Sequence, residues 1–359
     1  MKGISIIVCC YNSALRLPET IKHIAGQLVN SDIKWEVIIV NNASTDNTSI
    51  VATKEWSKYS CKVDFKIVDQ PIPGLSSARS KGIEVSNFEY LLFCDDDNWL
   101  DKNYVIIAYE TMESHPDAGI IGGQSEGFFE IEKPFWFDVF SQSYVVEKPF
   151  LKSCYLPKER EYIAGAGMII RKSMLRLLNE MNFSPILTGR IGKSLMSGED
   201  YELCLIAKYL GYRIFYEEKL DFVHFMSEER LNWNYCLRMT TVGHAIPEII
   251  YDIYKTCYSH TNLDKKLTFV KMYSKLMLIC LFFLIFPEER GLKGILLFFS
   301  NIHLFFHKQP GSVKQRKLLS SKNKLLFLLN NRKFLKQNFI LIQQLIIRIY
   351  KYKQNTENI

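Results

Sequence analysis

The chain has 359 residues, of which 48% are hydrophobic, 23% charged and 13% aromatic, and this composition excludes wholesale disorder and collagen-like repeats. Its formal net charge of +7 conceals a division, because residues 251–359 carry 19 Lys and Arg against 5 Asp and Glu, whereas residues 1–250 carry 26 against 33. The acidic part indicates a cation-dependent site, and the basic part indicates an anionic surface such as lipid headgroups or nucleic acid.

Residues 1–125 alternate short apolar runs with amphipathic stretches. The runs predicted as strands are Ile4–Cys10, Val37–Val40, Phe65–Val68 and Tyr90–Cys94. Helical patterns occupy residues 15–29, 46–58, 76–86 and 101–114. This alternation predicts the α/β class, with a mostly parallel, Rossmann-like sheet and helices on both faces.

Residues 126–170 have no clear periodicity and contain three prolines and many aromatic residues. We expect a long irregular segment that ends in a buried strand near Met168–Arg171, and such segments often contact substrates. A helix is predicted over residues 199–210, followed by strands near 213–216 and 221–225 and a helix from 229 to 254.

The character of the chain changes after residue 255, so we predict one domain over residues 1–255 and a basic, hydrophobic helical region over 256–359. Leu276–Phe286 and Gly294–Phe306 are apolar but shorter than the ~20 residues that span a bilayer. They fit either a helical hairpin packed on the protein or a helical pair lying in a membrane interface. The second is favoured because residues 314–353 form another basic, amphipathic segment.

The nine cysteines are scattered and include no Cys-x-x-Cys pair, which argues against a zinc ribbon or a disulfide scaffold. The apolar run Ile4–Cys10 is shorter than the apolar region of an export signal. We therefore expect the protein at the cytoplasmic face of the membrane, as a peripheral or interfacial protein, or otherwise in the cytoplasm.

Three carboxylates, Asp95, Asp96 and Asp97, close the fourth predicted strand. Adjacent carboxylates repel one another, and a cation between two of them relieves that repulsion. Because side chains alternate along a strand, Asp95 and Asp97 share a direction and Asp96 points away. The pattern favours Mg²⁺ or Mn²⁺ with positions open to phosphate oxygens; the alternative is a polar loop that caps the next helix.

Three further motifs accompany the triplet: Val8-Cys9-Cys10-Tyr11-Asn12-Ser13, Val40-Asn41-Asn42-Ala43-Ser44-Thr45-Asp46 and Gly74-Leu75-Ser76-Ser77-Ala78-Arg79-Ser80-Lys81-Gly82. In this order and spacing they resemble the family 2 glycosyltransferases over roughly residues 1–250. The resemblance implies that residues 1–255 are a GT-A catalytic domain that uses a nucleotide-sugar donor and inverts the anomeric centre.

The resemblance also implies roles for the donor site. Asp95 and Asp97 match the pair that holds the metal on the diphosphate, with His224 as a further metal ligand or, equally, an ordinary buried histidine. Asn41 matches the residue that reads the nucleobase, although an Asn-Asn pair replaces the family's acidic pair and Asn42 fits turn formation as well. The remaining donor-binding residues are Cys10, Tyr11, Asn12, Asp46, Arg79 and Asp96.

For the acceptor side, Glu199 and Asp200 match the Glu-Asp pair that opens a helix facing the acceptor, with Asp200 as the catalytic base. An acceptor hydroxyl is a poor nucleophile until a carboxylate takes its proton. The alternative is a carboxylate that stabilises a helix N-terminus. Gly165, Ala166 and Gly167 match a small-residue stretch beside the acceptor, and tight packing explains them equally well.

Two short motifs refine the function. The Gln-x-x-Arg-Trp motif of processive synthases is missing, and Glu229-Arg230 is interpreted as a cap of the following helix rather than as a phosphate contact. The sequence therefore predicts a non-processive transferase that moves one sugar to a glycan or lipid-linked acceptor, in cell-surface polysaccharide biosynthesis. We expect an anionic membrane surface as a partner and no nucleic acid.

Two other functions were considered. A sugar-phosphate nucleotidyltransferase would need a Gly-rich, Arg-containing N-terminal loop, which the chain lacks. A catalytically silent glycan-binding or scaffold protein with the same fold would be expected to have lost Asp97 or Asp200, and the chain has both.

Overall fold

The computed structural model describes residues 1–191, 195, 197–259 and 332–357. The chain divides into two compact units, residues 1–235 and residues 236–359. Every motif of the previous section lies in the first unit.

The described residues of the first unit form a nine-stranded sheet with flanking helices. Its strands are Ile4–Cys10 (β1), Trp35–Asn42 (β2), Asp64–Gln70 (β3), Tyr90–Asp95 (β4), Asn98–Leu100 (β5), Ala118–Phe129 (β6), Cys154–Tyr155 (β7), Ile169–Arg171 (β8) and Arg213–Met226 (β9). The helices are Leu17–Ala25 (α1), Thr48–Trp56 (α2), Leu75–Val85 (α3), Tyr104–Ser114 (α4), Phe137–Phe140 (α5), Lys172–Glu180 (α6) and Glu199–Leu210 (α7). Single 3₁₀ turns occupy Ser141–Tyr144 and Glu228–Arg230.

The sheet order is β3-β2-β1-β4-β8-β6-β9-β5, with β7 paired to β9. Strands β3, β2, β1 and β4 are parallel, as predicted. Beyond β4 the sheet becomes mixed, because β8 is antiparallel to both β4 and β6, and β9 is parallel to β6 but antiparallel to β5. The predicted α/β class with a Rossmann-like sheet is confirmed.

Strand β1 is buried almost throughout, which a strand covered on both faces requires. On one face Ile6 and Val8 share a core with Leu17, Ile21 and Ile24, which recur along α1 at the spacing of a helical face. On the other face Gly82 of α3 is so close that a Cβ atom would overlap Ile7. Helices therefore cover both faces.

The predictions were less accurate in the second half of the sheet. Strands β5, β6 and β7 were not predicted. The two strands expected near 213–216 and 221–225 form the single strand β9, with a register shift against β6 at this point. The helix expected from 229 begins at Trp233, after the turn Glu228–Arg230, and runs to Ser259 (α8).

In the second unit the structure describes most of α8 and a helix over Arg332–Glu357 (α9). None of the helices in the described ranges is long and apolar enough to span a bilayer. The apolar runs Leu276–Phe286 and Gly294–Phe306 lie outside the described residues. Their membrane association therefore stays a prediction.

Candidate active site

The sheet order brings the polar strand ends together. Along the chain β1 is followed by β2, which pairs with it, and by β3, which pairs with β2, and the chain then crosses to β4 on the other side of β1. In open α/β sheets, ligands bind at the carboxyl ends of the strands beside such a crossover. Three of the sequence motifs lie in the segments that end β1, β2 and β4 and in the loops after them.

Asn12 and Asp46 join the loop after β1 to the loop after β2. The Oδ1 of Asn12 accepts a hydrogen bond from the backbone N–H of Thr45 at 2.8 Å, and Asp46 accepts one from the N–H of Ala14 at 3.1 Å. Asn12 has φ of 49°, a left-handed conformation that asparagine tolerates better than most residues. Both side chains therefore hold loops in place, and their contact with a donor stays a prediction.

Asn41 presents an amide oxygen at the end of β2. Its Nδ2 donates to Asp69 at 2.8 Å, while its buried Oδ1 accepts no hydrogen bond from the residues that the structure describes. Asn42, in contrast, donates to the carbonyls of Gln70 and Ile72 and accepts from the N–H of Gly74. Asn42 thus forms the turn, and Asn41 is left with an acceptor of the kind that a nucleobase N–H requires.

Cys10 and Tyr11 end the first strand at the same edge. Cys10 is buried, and burial raises the pKa of its thiol well above the usual value. Tyr11 is 49% exposed, as a residue that stacks on a ligand would be. Free thiols occur at Cys9, Cys10, Cys61, Cys94, Cys154, Cys204 and Cys236.

Asp96 has partners of its own, and it is held from α1 and from the loop before that helix. Arg16 donates to both carboxylate oxygens, from Nη2 at 2.7 Å and from Nε at 3.3 Å, and Ser13 donates to one of them. The Thr20 hydroxyl donates to the Asp96 carbonyl at 2.9 Å. These contacts fix the loop that carries Asp95 and Asp97, so Asp96 shapes the site through its neighbours.

Asp97 lies against two residues from β9 and the turn after it. The Nη1 of Arg230 is 2.9 Å from Asp97 Oδ2, and the Nε2 of His224 is 3.4 Å from Asp97 Oδ1. Burial alone would raise the pKa of Asp97, but His224 and Arg230 more than reverse this, so its pKa lies below the ordinary value. Asp97 is therefore an ionised, buried carboxylate at neutral pH.

Both ring nitrogens of His224 have polar neighbours. Arg230 Nη1 lies 3.2 Å from His224 Nε2. Nδ1 in turn faces the carbonyl of Val145 at 3.4 Å. A metal-binding histidine typically donates its second ring N–H to such a carbonyl.

These residues fit a divalent cation whose ligands come partly from the protein and partly from a phosphate group. The described residues contain no group of three or more His, Cys, Asp or Glu positioned around one metal. They do contain a carboxylate oxygen and an imidazole nitrogen 3.4 Å apart, from Asp97 and His224. Ions at phosphate-transfer sites commonly take one or two protein ligands and complete their coordination with water and phosphate oxygens. Asp95 is the last residue of β4 and stands two residues before Asp97. Its carboxylate makes no hydrogen bond within the described residues.

The second acidic pair opens α7 and faces the first across Arg79. Arg79 Nη1 lies 3.4 Å from Glu199 Oε1, and its guanidinium lies over the ring of Phe93, 5.2 Å from the centroid. Burial alone would lower the pKa of Arg79, but the charges of Glu199 and Asp95 outweigh it and raise the pKa. One guanidinium thus interacts with both acidic groups, which therefore share one cleft.

Burial raises the pKa of both Glu199 and Asp200, and Arg79 opposes the rise. Asp200 Oδ2 accepts a hydrogen bond from the N–H of Gly165 at 2.9 Å, and Oδ1 accepts one from the N–H of Tyr201 at 2.8 Å. A carboxylate that is oriented by two backbone donors and is more basic than usual suits proton transfer from a hydroxyl.

The stretch Gly165, Ala166 and Gly167 packs tightly. A Cβ atom on Gly165 would lie 2.9 Å from Arg79 Nη2 and 3.3 Å from the Cβ of Asp200. Gly167 has φ of +71° and would meet the Tyr104 hydroxyl. Gly165 therefore serves the site by letting Arg79 and Asp200 approach, whereas acceptor contact stays a prediction for all three residues.

Sequence reasoning missed several cations and one carboxylate. Arg16 holds Asp96, Asp69 orients Asn41, and Arg230, interpreted as a helix cap, pairs with Asp97. The charge of Arg190 acts on Asp97, Asp95 and Glu199. Asp69 had a signal in the sequence, since it follows the predicted strand Phe65–Val68 at the same edge of the sheet, and Arg230 was noted but interpreted as a helix cap.

Comparison with known proteins identifies a similar family. Residues 5–178, just under half of the chain, match the family model described as Glycosyl transferase family 2. Over these residues the chain is similar to glycosyl transferase family 2. The resemblance noted in its sequence motifs is thereby confirmed.

Individual relatives match over limited lengths. The chain is 31% identical over 175 residues to the putative glycosyltransferase EpsH of Bacillus subtilis, which covers 48% of this chain and 48% of EpsH. It is 30% identical over 141 residues to the glycosyltransferase GlyA of Streptococcus pneumoniae, which covers 39% of this chain and 19% of GlyA. These matches therefore span less than half the length of either relative.

Further matches include the poly-beta-1,6-N-acetyl-D-glucosamine synthase of Staphylococcus epidermidis, 27% identical over 34% of this chain and 28% of the synthase. Among solved structures, the crystal structure of S. aureus TarS 1-349 in complex with UDP aligns with a TM-score of 0.49 and 19% identity. That alignment covers 98% of this chain and 92% of TarS 1-349.

Proposed function

We propose that this protein is an inverting, non-processive, metal-dependent glycosyltransferase. It transfers one sugar from a nucleoside-diphosphate donor to a glycan or lipid-linked acceptor. We place it in cell-surface polysaccharide biosynthesis, at the cytoplasmic face of the membrane. The synthase named above belongs to a polysaccharide pathway, and the basic C-terminal composition of this chain suits an anionic membrane surface.

The observation that carries the proposal is the position of Arg79 between the two acidic groups. Its charge acts on Asp95 at the end of β4 and on Glu199 and Asp200 at the start of α7. A donor diphosphate at Asp95 and Asp97 would therefore have Asp200 near its reacting end. A nucleotidyltransferase or a silent binding protein has no need of a basic carboxylate at that place.

The chain's own residues have separable tasks. Asn41 offers Oδ1 to the base, and Asp97 with His224 would hold Mg²⁺ or Mn²⁺, which neutralises charge on the leaving diphosphate when bound. Asp200 accepts the proton of the acceptor hydroxyl while that oxygen bonds to the anomeric carbon. The bond between this carbon and the diphosphate oxygen breaks on the opposite face, so the configuration inverts.

A panel of nucleotide sugars tested by thermal shift, with and without Mn²⁺, is the first experiment. We expect at least one donor to raise the melting temperature of the wild type in a Mn²⁺-dependent way. Asp97→Asn should lose this stabilisation, whereas Asp200→Asn should keep it. Glu84→Gln, which alters an exposed ion pair on α3, is the matched control and should behave as the wild type.

The donor found in that panel then allows transfer to be measured. Asp200→Asn should reduce sugar transfer by about 10²-fold or more, the usual contribution of a general base. Full transfer by this variant, or donor binding that is the same with and without Mn²⁺, would refute the mechanism.

A further inference from the structure

Arg230 is the residue near Asp97 that the proposed mechanism does not use. Its side chain is largely buried, with 15% of its surface exposed, and it reaches from the turn after β9 to the end of β4. Its Nη1 donates to Asp97 Oδ2 at 2.9 Å and lies 3.2 Å from His224 Nε2. Its Nε is buried and has no hydrogen-bond partner within the described residues.

Arg230 lies against the two groups that fit a divalent cation. Asp97 Oδ2 and His224 Nε2 are both within 3.2 Å of the same guanidinium nitrogen, Nη1. A metal ion ligated by these atoms would come within a few ångströms of a full positive charge, and the two cations would repel strongly at low dielectric. Arg230 and a divalent ion therefore cannot use Asp97 and His224 together in this arrangement.

We infer that Arg230 is a built-in competitor of the metal ion, a cation that occupies the Asp97–His224 pair and must withdraw before the ion binds. The inference rests on the proposed function, because it concerns the metal that the function requires. Once it has left Asp97, the guanidinium needs another anion. Its Nε has no hydrogen-bond partner among the described residues in its buried position, so contact with water or with a phosphate oxygen would stabilise it. Donor diphosphate supplies such a partner, so metal and nucleotide should bind more tightly together than separately.

The test measures Mn²⁺ binding directly, by electron paramagnetic resonance of the unbound ion, with Mn²⁺ alone and then with UDP added. Arg230→Gln should bind Mn²⁺ alone about tenfold more tightly than the wild type or better, a factor that corresponds to about 1.4 kcal/mol. Arg230→Lys keeps the charge and should stay near the wild type. The increase in Mn²⁺ affinity that UDP causes should be smaller in Arg230→Gln than in the wild type.

Arg190→Gln is the matched control. Its charge also acts on Asp95 and Asp97, but Arg190 has no ion pair or hydrogen bond with either. If direct occupancy matters, Arg190→Gln should change Mn²⁺ affinity much less than Arg230→Gln does. If Mn²⁺ affinity rose equally in the two variants, loss of a nearby positive charge would explain the rise, and the inference would be overturned.

Further outcomes separate the inference from the proposed function. The double variant Arg230→Gln/Asp97→Asn should lose the added affinity, which assigns the gain to this pair. If the wild type binds Mn²⁺ through Asp97 and Arg230→Gln binds it no more tightly, the inference is wrong while the proposed function stands. If no variant binds Mn²⁺ in an Asp97-dependent way, with or without UDP, both are wrong. Circular dichroism of each variant confirms that the fold is retained.

Discussion

Arg79 Nη1 lies 3.4 Å from Glu199 Oε1, an ion pair that joins α3 to α7 across the cleft. The two residues are 120 positions apart in the chain, yet burial raises the pKa of Glu199 and the charge of Arg79 opposes that rise. Because Arg79 also acts on Asp200, this contact links the donor half of the site to the group proposed as the base.

The first prediction concerns the pH dependence of Arg79 variants. Burial raises the pKa of Asp200, and the Arg79 charge limits that rise. A general base is active only when ionised, so transfer falls as the pH drops through this pKa. Arg79→Gln should raise the pKa of Asp200 further and move the acid limb of the kcat/KM profile to higher pH.

A pH profile over pH 5–9 checks this prediction, alongside two companion variants. Arg79→Lys keeps a charge and should shift the limb less. Lys81→Gln, which affects a surface pairing with Glu84 on the same helix, should leave the limb unmoved. If the acid limb of the kcat/KM profile moved to lower pH in Arg79→Gln, the predicted direction of the shift would be wrong.

The second prediction concerns Gly82, which lets α3 approach the sheet. A Cβ atom there would overlap Ile7 and lie 3.3 Å from Val40. Gly82→Ala gains helix propensity, yet overpacking of this kind costs about 1–3 kcal/mol and should dominate. Urea unfolding should show a lower midpoint, and transfer should fall because α3 carries Arg79. Ser80→Ala on the exposed face of α3 is the control, and an unchanged midpoint in Gly82→Ala would show that the helix adjusts freely.

The third prediction concerns Asn12. Asn12→Ala removes the hydrogen bonds to Thr45 and places alanine at φ of 49°, so stability should fall by about 1–2 kcal/mol. Asn12→Gly removes the same bonds but tolerates this φ, and it should lose less. Chemical denaturation of the three proteins measures the difference, which would vanish if backbone strain played no part.

The fourth prediction concerns Glu36 and acid stability. Burial alone would raise the pKa of Glu36, but hydrogen bonds from Lys66, Ser5 and Asn87 outweigh it, so its pKa is lowered. A lowered folded pKa adds stability that is complete above the unfolded value of about 4.3 and is lost as the pH falls through the folded value.

Glu36→Gln should therefore unfold at a lower urea concentration than the wild type at pH 7, and the gap should narrow as the pH falls below about 4.3. Glu84→Gln, at an exposed position, should leave both the midpoint and its pH dependence unchanged. A gap that widens in acid would contradict this assignment.

The parts of the fold that sequence predicts well are those whose cause is local. Strand β1 is a continuous apolar run, and α7 lies between Gly198 and Gly211, both left-handed, as helix-ending glycines often are. Strand β6 escaped prediction because glycines interrupt its apolar pattern. The polar residues that suggested two separate strands in β9 coincide with the register shift between β6 and β9. At this shift the carbonyl of Leu220 lies close to Gly123.

The candidate site divides in the same way. The position of Asp95 at the carboxyl end of β4 follows from the local strand pattern, whereas Asp96 and Asp97 lie in the turn after it. The Asp96 partner Arg16 is 80 positions away and no motif marks it. The Asp97 partner Arg230 is 133 positions away and was interpreted as a helix cap. Such pairings depend on how distant turns converge in three dimensions, and a single sequence contains no periodicity that reports this.

The hydrogen bonds between the loops after β1 and β2 have a consequence for ligand binding. Because Asn12 and Asp46 already tie these segments to one another, the two loops lose little conformational entropy if a ligand binds beside them. If Asn41 reads a nucleobase as proposed, a change of base specificity would require replacing both loops together.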